Sequence, residues 1–359
     1  MIINRGFGKF KLNEEIDNGE LFCTACKSIV DDYENINKII LFQSAGDIQY
    51  RLNGKPRPPM QKHPFEAKEG QLVLYGSEQN HEEYSSFIIT VERILANPQD
   101  SRKNLEQKMI AGLVPPDKHG NPIGSIYDLG RDNAFSEIKL LIGKFYNGEG
   151  FTLESFKTNV GKALDEKGFD WLCTEDENEY LEKLPDYDVS IILPSFGKKV
   201  KRSDFIDKVI TFYRSGKGLM LCEDNDPTQD SYTTGVLKKL FGITVEGNDP
   251  GQRVMNPGTN VSNSLTFDQN HDVFKGVFKL YEGITISHPN IDSLPSPLKV
   301  LSTSSSGHPN IMCVEKNINS NRLLIDCGYT KLFKEFWDTA GTGRYVRNAV
   351  CWLAGASCD

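Results

Sequence analysis

The chain has 359 residues, of which 38% are hydrophobic and 25% are charged, as is usual for globular proteins. Its formal net charge of −8 argues against nonspecific nucleic-acid binding, which requires a cationic surface. No stretch is apolar enough to span a membrane, and the N-terminus lacks the hydrophobic core of a signal peptide. We therefore expect a two-domain cytoplasmic protein with no nucleic-acid partner and no membrane insertion.

Residues 1–130 form the first predicted domain. Leu21–Val30 reads as a helix, and Gly112–Gly130 is rich in proline and glycine, which indicates a closing linker or surface loop. Three apolar runs are typical of strands, namely Lys38–Phe42, Gln71–Tyr75 and Ser86–Val91. The composition predicts a smaller α+β or strand-rich domain, which resembles no family that its residues identify.

Cys23 and Cys26 are the one cysteine pair with the spacing of metal ligands. A structural zinc site needs about four ligands, and neither a second such pair nor a matching histidine pair accompanies them. Two half-buried thiols are the favoured interpretation, although a metal site at this pair stays open. Several other cysteines fall in predicted strands or the last helix, which suits reduced thiols.

Residues 131–359 form the second predicted domain, in which short apolar runs alternate with amphipathic helices. Val189–Leu193, a helix capped by Ser203, and Leu219–Cys222 form a βαβ unit, which requires parallel strands. Further strands are predicted at Ile138–Ile142, Phe169–Cys173, Asn310–Val314 and Leu323–Cys327, and further helices at Thr152–Lys167 and around Arg344–Leu353. The predicted fold class is α/β, with a doubly wound, mainly parallel, flavodoxin-like sheet covered by helices on both faces.

Several phrases of this domain resemble the class I glutamine amidotransferase-like superfamily, in its divergent branch around ThuA-like domains. They are LPDYDVSIILP at 184–194, FYRSGKGLML at 212–221, LKKLFGI at 237–243, NRLLIDCGY at 321–329 and RNAVCWLAG at 347–355. The resemblance covers Phe135–Gly355 and implies the architecture of that superfamily. Active members carry a nucleophilic cysteine on a sharp turn flanked by glycines, with a histidine and an acid from later loops.

The resemblance makes Cys222, Glu223 and His288 the candidate catalytic residues. Cys222 lies in the matching strand, and His288 with Pro289 resembles the His-Pro of the amidotransferase triad. However, no glycine follows Cys222 closely, and the negative charges of Glu223 and Asp224 oppose formation of its thiolate. A buried, inert cysteine is therefore favoured over a working Cys222–His288 pair.

Ligands of parallel sheets bind at the carboxyl ends of the strands, where this sequence places charged and polar residues. The candidate ligand-binding residues are Lys144, Ser195, Lys198, Asp224 and Asp226. Asp224, Asp226 and Asp230 have the spacing of a calcium loop, but the required glycine and distal glutamate are missing. Helix capping by Asp230 or Ser231 accounts better for this loop, so we expect no metal ion and no cofactor.

Three functions follow from these residues. The favoured one is a non-catalytic binding or scaffold protein, in which a degenerate amidotransferase-like domain binds a protein partner or a small polar ligand. The second is a cysteine-dependent hydrolase or transferase, with hydrolysis as the expected chemistry if the protein is an enzyme. The third is a carbohydrate- or small-anion-binding protein that uses the carboxyl ends of the strands.

Overall fold

The computed structural model describes residues 95–97, 100–148, 150–194, 202–225, 232–291, 293–316 and 321–357, together with the backbone of seven strands within 1–91. The chain divides into two compact units, Met1–Ile94 and Leu95–Asp359. No helix in the described part of the chain combines the length and apolar character needed to cross a bilayer.

The described strands of the first unit are β1 Ile2–Arg5, β2 Gly8–Asn13, β3 Glu20–Cys23, β4 Ser28–Asp31, β5 Ile40–Phe42, β6 Gln71–Ser77 and β7 Tyr84–Val91. They form one sheet in the order β4-β3-β2-β1-β7-β6-β5. The helix expected at Leu21–Val30 is wrong, because antiparallel β3 and β4 lie there and the run contains β-branched residues that favour strands. The class of this domain stays a prediction, since the residues between its strands lie outside the described part, as does Cys26.

The second unit contains the strands β8 Lys139–Lys144, β9 Asp170–Thr174, β10 Val189–Leu193, β11 Gly218–Cys222, β12 Val245–Pro250, β13 Val254–Gly258, β14 Thr266–Asp268, β15 Leu280–Tyr281, β16 Thr285–Pro289, β17 Lys299–Thr303, β18 Pro309–Val314 and β19 Leu323–Asp326. Its helices are α1 Arg102–Ile110, α2 Leu153–Phe156, α3 Lys162–Lys167, α4 Glu177–Lys183, α5 Ser203–Arg214, α6 Tyr232–Phe241 and α7 Thr342–Leu353. A π turn, Lys157–Gly161, joins α2 to α3. Short 3-10 turns lie at Ser125–Tyr127, Leu184–Asp186, Asp272–Phe274 and Tyr329–Leu332.

Ten of these strands form a mixed, mostly parallel sheet in the order β15-β13-β14-β17-β18-β19-β11-β10-β8-β9. The five neighbours from β19 to β9 are all parallel. In particular, Val189 of β10 pairs with Gly218 of β11, so the predicted parallel βαβ pairing is confirmed. The remaining two strands, β12 and β16, form a separate antiparallel pair, which we call the β12–β16 ribbon.

Helices cover both faces of the parallel strands, as the alternation of apolar runs predicted. Leu140 and Ile142 of β8 pack into one hydrophobic cluster, which includes side chains of α2, α3 and α7. Leu141 faces the opposite cluster, which includes side chains of α4, α5 and α6. Ser203, expected as the cap of α5, is instead its first residue, and Arg202 occupies the cap position.

The segment expected as a linker, Gly112–Gly130, lies in the second unit and is held there by a buried charge cluster around Asp128. The Asp128 carboxylate accepts from Arg344 Nε at 2.6 Å and Arg347 Nε at 2.7 Å, both on α7. Lys167 Nζ of α3 lies 2.9 Å away. Burial alone would raise the pKa of Asp128, but the charges of Arg347, Arg344 and Lys167 outweigh it and lower that pKa.

Replacing Asp128 with Asn is expected to destabilise the protein by about 3–5 kcal/mol, because it leaves buried cations without their counter-charge. The stabilisation requires ionised Asp128, so it should be present above the carboxyl's unfolded pKa of about 4 and be lost as the pH falls through the lower folded value. Urea midpoints of the variant and the parent between pH 3 and 7 measure both effects.

The matched control is Asp132→Asn. Asp132 contacts the same Lys167 ammonium at 2.6 Å, but 41% of its side chain is exposed. A pair of this kind contributes about 0–1 kcal/mol, so the control should unfold close to the parent. Equal midpoints for the Asp128 and Asp132 variants would contradict a special role for the buried cluster.

Candidate functional site

The carboxyl ends of β8, β10, β11 and β19 meet at one edge of the sheet, which we call the carboxyl edge. Parallel pairing brings the polar residues that follow these strands to the same side of the molecule. Ser195, Lys198 and Asp226, three of the expected ligand-binding residues, lie outside the described residues. The described candidates at this edge are Lys144, Cys222, Glu223 and Asp224.

Cys222 ends β11 and is fully buried in the hydrophobic cluster on the α7 side of the sheet. Burial raises the pKa of its thiol well above the ordinary value, and the Asp326 and Glu223 charges add to this, against the opposing charge of Lys331. A thiol in these surroundings is protonated and inaccessible, which is the environment of a structural cysteine.

Glu223 follows Cys222 directly and is also fully buried. Its side-chain Oε1 accepts a hydrogen bond from the Thr234 hydroxyl at 3.4 Å, and its backbone N–H donates to the Asp326 carbonyl at 2.8 Å. Burial raises the pKa of Glu223 well above the ordinary value, while the backbone N–H groups of Asp224 and Thr234 oppose the shift. Burial therefore favours the neutral acid at this position.

A buried ion pair at the end of β19 was missed by the sequence analysis. Asp326 accepts from Lys331 Nζ at 2.5 Å, from the Gly328 N–H at 3.0 Å and from the Tyr345 hydroxyl at 3.0 Å. Both charged side chains are buried. The sequence did carry a signal for this pair. An acid lies at the end of a predicted strand, and a lysine follows five residues later, after a glycine and an aromatic residue.

Lys144, expected to contact a ligand, lies buried at the end of β8. Its ammonium donates to the Tyr146 carbonyl at 2.7 Å, to Asn147 Oδ1 at 2.5 Å and to Glu175 Oε1 at 3.3 Å. Burial lowers the pKa of Lys144, and Glu175 opposes this. Since an ammonium has three N–H groups, these internal partners use all of them.

Asp224 lies at the carboxyl edge, where it joins β11 to the β12–β16 ribbon. It accepts from the Thr285 hydroxyl of β16 at 2.9 Å. The next residue, Asn225, donates from Nδ2 to Asn248 Oδ1 of β12 at 3.1 Å, and the Ser287 N–H of β16 donates to the Cys327 carbonyl at 3.1 Å. These three contacts fix the ribbon beside the ends of β11 and β19.

His288 lies on this ribbon but makes no hydrogen bond with Cys222, although the structure describes both residues. Its Nδ1 lies 3.1 Å from Asp249 Oδ2, and His308 Nδ1 lies 2.8 Å from the same oxygen. The Ser306 hydroxyl donates to that oxygen at 2.7 Å. Burial would raise the pKa of Asp249, but the hydrogen bonds from His308 and Ser306 lower it.

The polar cluster of Asp249, His288, Ser306 and His308 was therefore found only in part from the sequence. His288 was singled out because a proline follows it, whereas Asp249 and His308 lie in segments without a periodic pattern. Asp249 is 39 residues from His288 and 59 residues from His308 along the chain. No local spacing could have joined them.

Comparisons with known proteins give distant structural neighbours. No protein-family model matches the sequence, and no curated protein gives a significant match. A ThuA-like protein from Bacteroides uniformis is 18% identical, with a TM-score of 0.42, and the match covers 61% of this chain and 92% of that one. A ThuA-like protein from Parabacteroides merdae is 11% identical, with a TM-score of 0.39 and coverages of 61% and 90%.

A further structural neighbour is the mmIFT52 N-terminal domain, at 16% identity and a TM-score of 0.45, with coverages of 60% and 97%. These structural neighbours, two of them ThuA-like proteins, each match about 60% of the chain. At these identities and TM-scores the likeness assigns neither a family nor an activity to the chain.

Replacing Glu223 with Gln tests the buried acid at the carboxyl edge. A carboxyl group with a raised folded pKa contributes stability below its unfolded pKa of about 4.3, and this contribution is lost as the pH rises toward the folded value. The parent should therefore lose stability relative to Glu223→Gln from pH 5 upward, by at most about 1.4 kcal/mol per pH unit. Urea midpoints at pH 5, 6, 7 and 8 give the difference.

The matched control is Glu175→Gln, because Glu175 is 38% exposed at the same edge. An equal pH-dependent difference in Glu175→Gln would show that the effect is not specific to the buried acid. A constant difference between Glu223→Gln and the parent over this range would show that Glu223 is ionised in the folded protein.

Proposed function

We propose that the second unit is a non-catalytic binding module of the class I glutamine amidotransferase-like type, with a flavodoxin-like sheet. The order of its five parallel strands, β9-β8-β10-β11-β19, supports this sheet type, because in chain order it reads 2-1-3-4-5. The single observation that carries the non-catalytic part is the position of Cys222, which has no exposed surface.

A cysteine nucleophile must present a thiolate to the substrate. Strand alternation puts Cys222 on the same face as Met220, inside the cluster that α7 covers. The nearest acids, Asp326 and Glu223, further disfavour a negative charge on its sulfur. His288, the base expected for such a nucleophile, instead contacts Asp249 and His308. A hydrolase built on Cys222 would need to rearrange both residues.

The binding part of the proposal rests on the polar groups around Asp224 at the carboxyl edge. Asp224 is itself buried and accepts a hydrogen bond from half-buried Thr285, while the amides of half-buried Asn225 and exposed Asn248 meet nearby. Hydroxyl, amide and carboxylate groups together suit a ligand that both donates and accepts hydrogen bonds. The Asp224 carboxylate disfavours an anion, and the Lys144 ammonium is already occupied. A small polyhydroxylated ligand such as a carbohydrate therefore fits better than an anion.

Alkylation of Cys222 tests the non-catalytic part. Iodoacetamide at neutral pH should modify Cys222 in the native protein more slowly than partly exposed Cys173, whose pKa burial raises to about 12 against the opposing charge of Lys144. Peptide mass spectrometry at timed intervals gives both rates in one sample, and the urea-unfolded protein gives their intrinsic reactivities. Selective, rapid modification of Cys222 in the native protein would contradict the proposal and favour the hydrolase alternative.

Ligand-dependent thermal unfolding tests the binding part. A panel of neutral mono- and disaccharides should contain members that stabilise the parent, by about 1.4 kcal/mol at ten times the dissociation constant. Asp224→Asn should reduce this gain while retaining the shape of the side chain, and inorganic phosphate should give none. Glu175→Gln is the control for loss of an acid at the same edge.

Two results would contradict the carbohydrate assignment. Stabilisation by phosphate but by no sugar would favour the small-anion alternative. If neither class stabilises the parent, the small-ligand assignment fails and the protein-partner alternative takes its place. Neither result changes the conclusion from Cys222 alkylation.

A further inference from the structure

Three potential metal ligands from separate segments meet on the β12–β16 ribbon. Asp249 is on β12, His288 is on β16, and His308 is in the turn between β17 and β18. One ligand atom from each lies within 4.8 Å of the other two. All three residues are partly exposed, so an ion could reach them from solvent.

Two of the three separations between these atoms are slightly shorter than those around a zinc-sized ion. Tetrahedral ligands at about 2.0–2.1 Å from Zn²⁺ are about 3.3 Å from one another. Asp249 Oδ2 lies 3.1 Å from His288 Nδ1 and 2.8 Å from His308 Nδ1, and the ligand nitrogens of the two histidines lie within 4.8 Å of each other. The Asp249 carboxylate would therefore have to move away from the histidines by a few tenths of an ångström to admit the ion.

A β-bulge brings Asp249 to the side of the ribbon that carries His288. Glu246 pairs with His288 and Asp249 pairs with Ile286, so β12 uses three steps where β16 uses two. Because side chains alternate along a strand, the extra residue puts Asp249 on the same side as Ile286 and His288. The bulge contains Gly247 at a φ of 94°, a conformation that favours glycine.

Gly247 also makes room for the His288 ring. A Cβ atom at this position would lie 2.6 Å from His288 Nδ1 and 2.5 Å from its Cε1, closer than real contacts allow. The His308 ring also stacks on His288, with ring centroids 3.8 Å apart. The imidazole of His288 is therefore in close contact with both the Gly247 backbone and His308.

Hydroxyl and backbone groups hold the remaining ligands in place. Ser306 donates to Asp249 Oδ2 at 2.7 Å, and the Ser304 and Ser306 hydroxyls are 2.7 Å apart. Glu282 anchors the same turn by accepting from the Ser305 N–H at 2.7 Å. Such outer hydrogen bonds orient the ligands of metal sites in proteins.

We propose that Asp249, His288 and His308 bind a divalent transition-metal ion of the zinc class. Two imidazole nitrogens and one carboxylate form a three-ligand set that Zn²⁺ accepts, leaving a fourth position open. His308 has 47% of its side chain exposed, so water or a ligand could reach an ion bound there. This metal site does not depend on the proposed function. It differs from the expectation of no metal ion, which was based on the cysteine pair and on the acidic loop after β11.

A second cluster, His271, Cys313 and Glu315, provides the contrast. Its ligand atoms also lie within 4.8 Å of one another, but His271 Nε2 is 3.8 Å from Cys313 Sγ and 4.0 Å from Glu315 Oε1. His271 Nδ1 accepts from the Val273 N–H at 3.3 Å. Burial, with added repulsion from Glu315, raises the pKa of Cys313 to about 12, and Lys299 lies 2.9 Å from Glu315. A protonated thiol and a neighbouring ammonium disfavour a cation there, so His271→Gln is a suitable control variant.

Zinc binding to the metal-free full-length chain tests the proposal, with Zn²⁺ in competition with a chromophoric chelator. We expect the parent to bind one equivalent of Zn²⁺ at this site. His308→Gln should bind that equivalent at least about a hundredfold more weakly, because one of three ligands is lost. His271→Gln should match the parent. Zinc bound by thiolates elsewhere in the chain would be common to all three proteins, and so the difference isolates this site.

Two further variants keep the test decisive if His308→Gln is misfolded by circular dichroism or urea unfolding. Asp249→Asn should also lose the equivalent, and Ser306→Ala should weaken it about tenfold without changing the stoichiometry, as expected for an outer partner. Equal zinc affinity and stoichiometry in the parent and in a folded ligand variant would overturn the proposal.

Cobalt substitution identifies the ligand type. The spectrum of the Co²⁺-loaded parent minus that of the variant should show d–d absorption of a nitrogen- and oxygen-ligated ion and no thiolate-to-cobalt charge-transfer band. A thiolate band in the difference spectrum would assign the ion to cysteines and overturn the site.

Discussion

The buried ion pair between Asp326 and Lys331 holds the carboxyl edge of the sheet together. Its carboxylate accepts from Lys331, from the Gly328 backbone and from Tyr345 of α7. A buried charge of this kind is tolerated only when all of its partners are in place. The end of β19, the turn that follows it and α7 must therefore be assembled together. That assembly encloses Cys222, and the cysteine is part of the core for this reason.

As a result, the buried polar groups at the strand ends are separate from the polar groups that solvent can reach. The side chains of three residues at this edge are buried, namely Glu223, Asp326 and Lys144. Asp326 and Lys144 form internal hydrogen bonds, and burial favours the neutral form of Glu223. The partly exposed polar groups lie on the β12–β16 ribbon, where Thr285 contacts buried Asp224 and where Asp249 contacts its histidines. A ligand would thus meet the ribbon before it met the strand ends, in contrast to an enzyme whose nucleophile ends a strand.

The sequence predicted the parallel core well because its strands are buried on both faces. Val189–Leu193 was predicted with the bounds that the structure shows, since a short apolar run flanked by turn residues is typical of a buried strand. The antiparallel half was harder to predict, because β14 and β15 have only three and two residues and β13 contains a proline and a glycine. Leu21–Val30 failed because a mixed run of ten residues fits a helix and two strands alike.

The candidate site was predicted in part for a related reason. The position of Asp224 just after β11, at the carboxyl edge, follows from topology. Whether a lysine such as Lys144 faces solvent or a set of internal acceptors depends on loops that packing arranges. The meeting of Asp249 with His308 depends on a one-residue bulge and a distant hairpin turn. These are tertiary facts, without a counterpart in local residue spacing.

The number of residues in the π turn between α2 and α3 determines whether Lys167 reaches the buried Asp128 cluster. One residue of an α-helix corresponds to about 100° of rotation, so deleting a residue from Lys157–Gly161 would turn α3 by that angle. Lys167, at the end of α3, would then point its ammonium away from Asp128. Substitutions of the outward-facing side chains of this segment should be tolerated, whereas its number of residues is constrained. Insertions and deletions, more than substitutions, should therefore be selected against in this helix.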